Sequence, residues 1–114
     1  MKRGELYRVR VPRGDARRAR VFLIVSRPEF TRVPYSSVVC APVYSNGQGL
    51  ATEVSITPAE GMKRQSWLRC DEVTSVARGL LTDYVGSLPP DKMVEVSRAL
   101  AVALAIEPED LLSD

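Results

Sequence analysis

Histidine is absent from this 114-residue chain, which removes the side chain that most often carries protons near neutral pH. Any acid–base chemistry must then run on Asp, Glu, Arg, Lys or Tyr. Cysteine is scarce as well: Cys40 and Cys70 are the two, and with neither histidine nor a CxxC spacing they do not read as a zinc site. Each lies in an apolar or β-branched run, Val38-Val39-Cys40-Ala41 and Trp67-Leu68-Arg69-Cys70, where a free cysteine behaves as a small buried hydrophobe. No metal, cofactor or disulfide is expected. Long hydrophobic runs are missing too, since none approaches the roughly 18–20 apolar residues that span a bilayer. The opening Met1-Lys2-Arg3-Gly4-Glu5 passes straight into an alternating pattern, without the apolar stretch of a secretory signal. A soluble, cytoplasmic protein with no membrane contact is the expectation.

What is present is lopsided in charge. The net formal charge is only +2, yet residues 1–35 hold ten basic groups (Lys2, Arg3, Arg8, Arg10, Arg13, Arg17, Arg18, Arg20, Arg27, Arg32) against three acidic ones, an excess of +7. Residues 107–114 carry Glu107, Glu109, Asp110 and Asp114 with no basic group. A basic half suits a polyanion. Nine of its ten cations are Arg, whose planar fork binds phosphate bidentately.

With no repeat, low-complexity segment or linker, the length supports one domain, residues 1–106, followed by an acidic tail, 107–114. Residues 5–11 alternate as a half-buried strand, and Pro12-Arg13-Gly14-Asp15 breaks it. Arg20–Ser26 holds Val21-Phe22-Leu23-Ile24-Val25, a continuous run that predicts a central strand buried on both faces. Ser37–Ala41 is a further buried strand, with Pro42 ending its clean pairing or placing a bulge. Strands follow over 51–56 and 66–70, with a helical turn at Thr57-Pro58-Ala59-Glu60 between them. Residues 72–76 and 81–85 are short extended pieces. A helix from about Asp91 to Ala105 then presents Met93, Val96, Leu100, Ala103 and Leu104 at helical spacing. Pro108 stops it and leaves the acidic tail loose. Strands in a run closed by one helix predict an α+β domain, a small curved and mostly antiparallel barrel-like sheet with a C-terminal helix. Trp67 and Phe22, each within an apolar strand, are assigned to the core.

Three segments in order resemble the PemK/MazF toxins. Lys2-Arg3-Gly4-Glu5-Leu6-Tyr7-Arg8-Val9 is similar to that family's opening strand, followed after a loop by Arg20-Val21-Phe22-Leu23-Ile24-Val25-Ser26. Val38-Val39-Cys40-Ala41-Pro42-Val43-Tyr44-Ser45 resembles its central strand, and Ser66-Trp67-Leu68-Arg69-Cys70-Asp71 resembles the Arg-Cys-Asp segment of the plasmid-borne, Kid-like branch. The ending Val85-Gly86-Ser87-Leu88 plus helix is also similar, so the resemblance covers residues 2–106. It implies the toxin barrel shared by Kid, MazF and CcdB, paired as a homodimer. It also implies a type II toxin–antitoxin endoribonuclease that cuts single-stranded RNA without metal, leaving 2′,3′-cyclic phosphate and 5′-hydroxyl ends. Its partners would be RNA and an acidic, partly disordered antitoxin.

The resemblance implies Asp71 as base and Arg69 as electrostatic stabiliser, with Arg20 as a third catalytic-site cation. An Arg-x-Asp alone is ordinarily a structural ion pair, but Arg69 and Asp71 lie two apart on an extended segment, so their side chains are expected on the same face. Tyr44 and Ser45 are the expected RNA-binding pair after the Pro-containing strand, joined by Arg17 and Arg18 from the basic loop. Two departures stand out: Tyr44 replaces the family's usual Thr, and loop 13–19 lacks its Gly-rich stretch. They leave a second reading open, a toxin-fold module that binds RNA only or inhibits a protein target such as a topoisomerase.

Overall fold

The computed structural model describes residues 1–10, 19–28 and 36–112. Among the described residues, seven strands, β1 (Glu5–Val9), β2 (Arg20–Ile24), β3 (Ser37–Tyr44), β4 (Glu53–Ile56), β5 (Ser66–Arg69), β6 (Thr74–Ala77) and β7 (Asp83–Ser87), precede the C-terminal helix, α1 (Pro90–Ala103). All pairings are antiparallel, in the order β4-β5-β3-β2-β1-β7, with β6 beside β3. The fold is therefore a curled half-barrel with a C-terminal helix, as the pattern of strands predicts. Arg17 and Arg18 lie outside the described residues.

The buried run of β2 serves two layers. Val21 and Leu23 join Leu6, Val43, Ile56 and Leu68 in the main core, which Val96 and Ala99 of α1 close from outside. Ile24 and the partly buried Phe22 point the other way, into a second cluster with Tyr7, Val38, Cys40 and Val76. This is the two-sided burial that a continuous apolar strand requires.

Strand β3 runs straight through Pro42, and what changes there is its neighbour. Ser37–Cys40 pair with β6, whereas Val43 and Tyr44 pair with β5. The carbonyls of Val39 and Val43 both face β2, where they accept from Val25 N and Arg20 Nη1. Alternation then turns Pro42 toward the β5/β6 edge, where it offers no N–H. Opposite that gap the partner chain leaves the ladder as a single 3₁₀ turn, Cys70–Glu72.

The two ends of the open sheet approach each other. The turn Pro58–Glu60, held by a Thr57–Glu60 capping box, ends in Gly61 at φ 110°. A Cβ on Gly61 would stand 2.5 Å from the Val85 carbonyl oxygen, and one on Gly86 would fall on the Glu60 carbonyl oxygen, inside van der Waals contact. Glycine at both places lets this turn lie against β7.

Two expectations for the C-terminus need correction. Leu104 is not a core position but 58% exposed, because the helix ends at Ala103 and Ala105 turns left-handed at φ 55°. Pro108 consequently is not the helix stop. It opens a 3₁₀ turn, Pro108–Leu111, capped by Glu107 and Asp110, so this part of the acidic tail is folded rather than loose.

Both cysteines are free and fully buried, as expected. Burial pushes the Cys40 thiol up to about 12 and the Cys70 thiol to about 11, with the Asp71 charge adding to the latter. Because the thiolate is the reactive form, native protein should leave both thiols unlabelled by a disulfide reagent near pH ~8, and unfolding should release both. Rapid labelling of the native chain would contradict their burial.

Candidate nucleic-acid interface and active site

Alternation sets which side chains reach the face turned away from α1. In β5, Ser66 and Leu68 are buried inward, so Trp67 and Arg69 face outward. The same rule sends Glu53 and Ser55 of β4, and Tyr44 of β3, to this face. Register then places Tyr44 opposite Trp67 and Glu53 opposite Arg69. Trp67 accordingly is not in the core clusters: it is half-buried on the outer face, and Gly47 rests on its indole so closely that a Cβ there would lie 2.7 Å from the ring.

Tyr44 is the hub. The Arg20 guanidinium carbon lies 4.0 Å from its ring centroid and that of Arg69 lies 3.8 Å from it. Arg20 stands on β2 and Arg69 on β5, the two neighbours of β3, so the phenol is flanked by a guanidinium from either side. Each stack sets a cation against the negative π-face, worth about 0.5–1 kcal/mol at exposed sites and more where water is excluded. Arg20 is fixed further by donating Nη1 to the Val43 carbonyl at 3.2 Å.

Carboxylates complete the cluster. Tyr44 Oη donates to Glu72 Oε1 at 2.5 Å, and Arg69 Nη1 donates to Glu72 Oε2 at 3.3 Å. The hydrogen bond from Tyr44 is the main reason the Glu72 carboxyl is held below the usual glutamate range, and the same bond is the main cause of the raised Tyr44 phenol. Glu53 accepts from the N–H groups of Gln48 and Leu50, which lower its pKa. Its Oε2 is 3.9 Å from Arg69 Nε, a buried atom with no hydrogen-bond partner. In Tyr44→Phe the stack survives but the donor is gone, so Glu72 should titrate upward toward the ordinary range. Carbon-detected NMR titration checks this, and an unmoved Glu72 would contradict the bond.

Asp71 departs from expectation. The segment after Arg69 is a 3₁₀ turn, so residues 69 and 71 do not share a face: Arg69 turns to Tyr44 and its ion-pair partners are Glu53 and Glu72. Asp71 instead accepts from Thr52 Oγ1 at 2.5 Å and is exposed on the rim of the cluster.

A cleft of about 760 Å³ opens beside the cluster at the strand ends, lined by Arg8, Arg20, Lys63, Arg64, Tyr44, Ser45 and Ser66 over a floor that includes Val21, Val43 and Met62. Among the described residues, none that lines it is acidic. Arg20, Tyr44 and Ser45 are thus brought together as expected. Arg8, Lys63 and Arg64, together with Glu53, Thr52 and Glu72 in the cluster, are additions that sequence reasoning missed. Lys63-Arg64 next to the turn carried a local signal, two adjacent cations before a strand. Glu53 and Thr52 carried none, since only cross-strand register brings them in.

A curled antiparallel half-barrel with a terminal helix, an arginine-clamped tyrosine on its outer face and a cation-lined cleft beside it defines a small α+β domain. Residues 2–104 match the family model described as PemK-like, MazF-like toxin of type II toxin-antitoxin system, and the chain belongs to that family. It is 33% identical over 109 residues to the "Probable endoribonuclease MazF" of Mycolicibacterium smegmatis, covering 93% of this chain and 98% of that one. Among solved structures it superposes on an endoribonuclease in complex with its cognate antitoxin from a mycobacterial species, with TM-score 0.80, 26% identity and coverage of 94% and 97% of the two chains. It is similar in fold to the Mycobacterium tuberculosis toxin MazF-mt6, with TM-score 0.78, 24% identity and coverage of 90% and 98%.

Proposed function

We propose that this chain is the endoribonuclease toxin of a type II toxin–antitoxin pair and cuts single-stranded RNA without a metal ion. The observation that carries this reading is the pair of guanidinium groups clamped on Tyr44 beside a cleft that Arg8, Arg20, Lys63 and Arg64 line. In this reading the RNA 2′-hydroxyl gives its proton to Asp71 and its oxygen attacks the adjacent phosphorus. The bond from phosphorus to the 5′-oxygen breaks and that oxygen takes a proton from water, leaving a 2′,3′-cyclic phosphate and a 5′-hydroxyl. Arg69 and Arg20 stabilise the charge that builds on the phosphorane and the departing oxygen, the step where fixed cations have most effect. Arginine acts here as a charge rather than an acid, because its pKa lies above ~12. Tyr44 and Ser45 bind the strand, with Arg17 and Arg18 as further RNA-binding cations.

The acting form in this reading is a cytoplasmic homodimer, which doubles the basic field along one surface, with residues 1–106 as its toxin domain. No described helix is long and apolar enough to cross a membrane. An acidic antitoxin that folds on binding would cover the same cations, so RNA and antitoxin would exclude each other. The deciding experiment incubates pure protein with a long single-stranded RNA in EDTA and sequences the ends. Cyclic phosphate termini support the proposal, and intact RNA at high enzyme concentration overturns it in favour of a binding-only module.

The cleft makes a separate demand. Neutralising Lys63 and Arg64 together should weaken RNA binding across sequences and reduce the salt slope of log K by about two phosphate contacts. An unaltered slope would take the cleft off the RNA path.

A further inference from the structure

Arg69 meets two carboxylates, and they differ in kind. Glu53 is the inner one, 4% exposed at its side chain and locked by the N–H groups of Gln48 and Leu50. Glu72 is the outer one, 45% exposed. One of its oxygens accepts from Tyr44 Oη and the other from Arg69 Nη1. An exposed carboxylate held by two side chains contributes little to stability and is released at little cost. The inner carboxylate belongs to the framework, and the outer one is exchangeable.

A phosphodiester presents the same pattern to its surroundings. It spreads one negative charge over two unbridged oxygens, each able to accept from a phenol or a guanidinium. We infer that the Glu72 carboxylate sits in the seat of a phosphodiester group, formed by Tyr44 Oη and Arg69 Nη1 and backed by Arg20, and that a nucleic-acid strand binds by displacing Glu72 into solvent. The charges support the exchange. Arg69 and Arg20 both act on the Glu72 carboxylate, so moving Glu72 outward leaves positive charge unmatched at the seat. One phosphodiester restores the balance. Asp71 does not compete for the seat, since it is turned to Thr52. The same assignment explains the phenol at position 44: its hydroxyl reaches one ligand oxygen while its ring holds both arginines.

The inference takes from the ribonuclease proposal only the identity of the strand, and it can be tested apart from cleavage. The probe is a fluorescein-labelled single-stranded 2′-deoxyoligonucleotide, which keeps the phosphodiesters but lacks the attacking hydroxyl. Removing the resident charge in Glu72→Gln or Glu72→Ala should tighten its Kd by about fivefold to tenfold, the scale of one like-charge contact near a surface. Adding Tyr44→Phe to Glu72→Gln should give back part of that gain. On cleavable RNA, Glu72→Gln should lower KM. A carboxylate that merely braces Arg69 gives the opposite result, unchanged or weaker binding in both variants, and that result overturns the inference. If wild type cleaves RNA while neither variant tightens binding, the seat is wrong and the ribonuclease stands. If binding tightens but no RNA is cut, the seat stands and the ribonuclease falls.

Discussion

Asp71→Ala and Arg69→Ala should each slow RNA cleavage by about a hundredfold or more, the usual cost of losing a general base or a fixed cation at a transition state. The two losses should differ in character. Asp71 is exposed, and Thr52 is its hydrogen-bond partner, so its removal leaves the arginine clamp intact and should lower kcat while RNA binding persists. Arg69 touches Tyr44, Glu72 and Glu53 at once. Its removal takes out the charge and half the support of the tyrosine ring, so KM should rise as well. Arg69→Lys should recover little, because an ammonium can neither stack as a plane on Tyr44 nor send two N–H groups in a fixed fork. Single-turnover kinetics on a defined RNA, with circular dichroism to confirm folding, would read these effects. Near wild-type rates from both folded alanine variants would remove these residues from the chemistry.

The largest effect on stability is expected from a single methyl group. Gly86→Ala would place a Cβ against the Glu60 carbonyl oxygen, backbone against backbone, where no side chain can rotate away. Relief requires parting the Pro58–Gly61 turn from β7, and overpacking of this kind costs about 3 kcal/mol. At this chain length the melting temperature should fall by roughly 10 °C or more. Gly79→Ala is the matched control, since a Cβ there meets nothing within 4 Å, and its melting temperature should hardly move. Equal melting temperatures for the two variants would mean that the turn does not close on β7 as described.

The fold was legible because periodicity carries it. The two-faced burial of β2, the short turn at Thr57–Glu60 and the helix face of Val96 follow from local pattern alone. The path of the chain after Arg69 was not legible. The run Ser66–Val76 reads as nearly continuous β-forming sequence, and it leaves the ladder at Cys70, opposite a proline on another strand that has no donor to offer. That cross-strand relation is invisible in a local window, and it is there that Arg69 and Asp71 part company. Trp67 was misplaced for a related reason, since an apolar residue in an apolar run shows its face only once Leu68 is known to point inward. Arg20, Tyr44 and Ser45 were named from family resemblance, whereas Glu72 and Glu53 required register and distance.

The flanking of Tyr44 by two guanidinium groups has a further consequence, for the entropy of binding. Long arginine side chains on a free surface sample many rotamers, and ordering each one on a ligand costs about 0.5–1.5 kcal/mol. Arg20 and Arg69 are already ordered, one by the ring and a backbone carbonyl, the other by the ring and its carboxylates. An incoming anion therefore finds two cations whose freedom was surrendered during folding, and more of its attraction survives as affinity. The aromatic ring moves that loss from the moment of encounter to the moment the sheet forms.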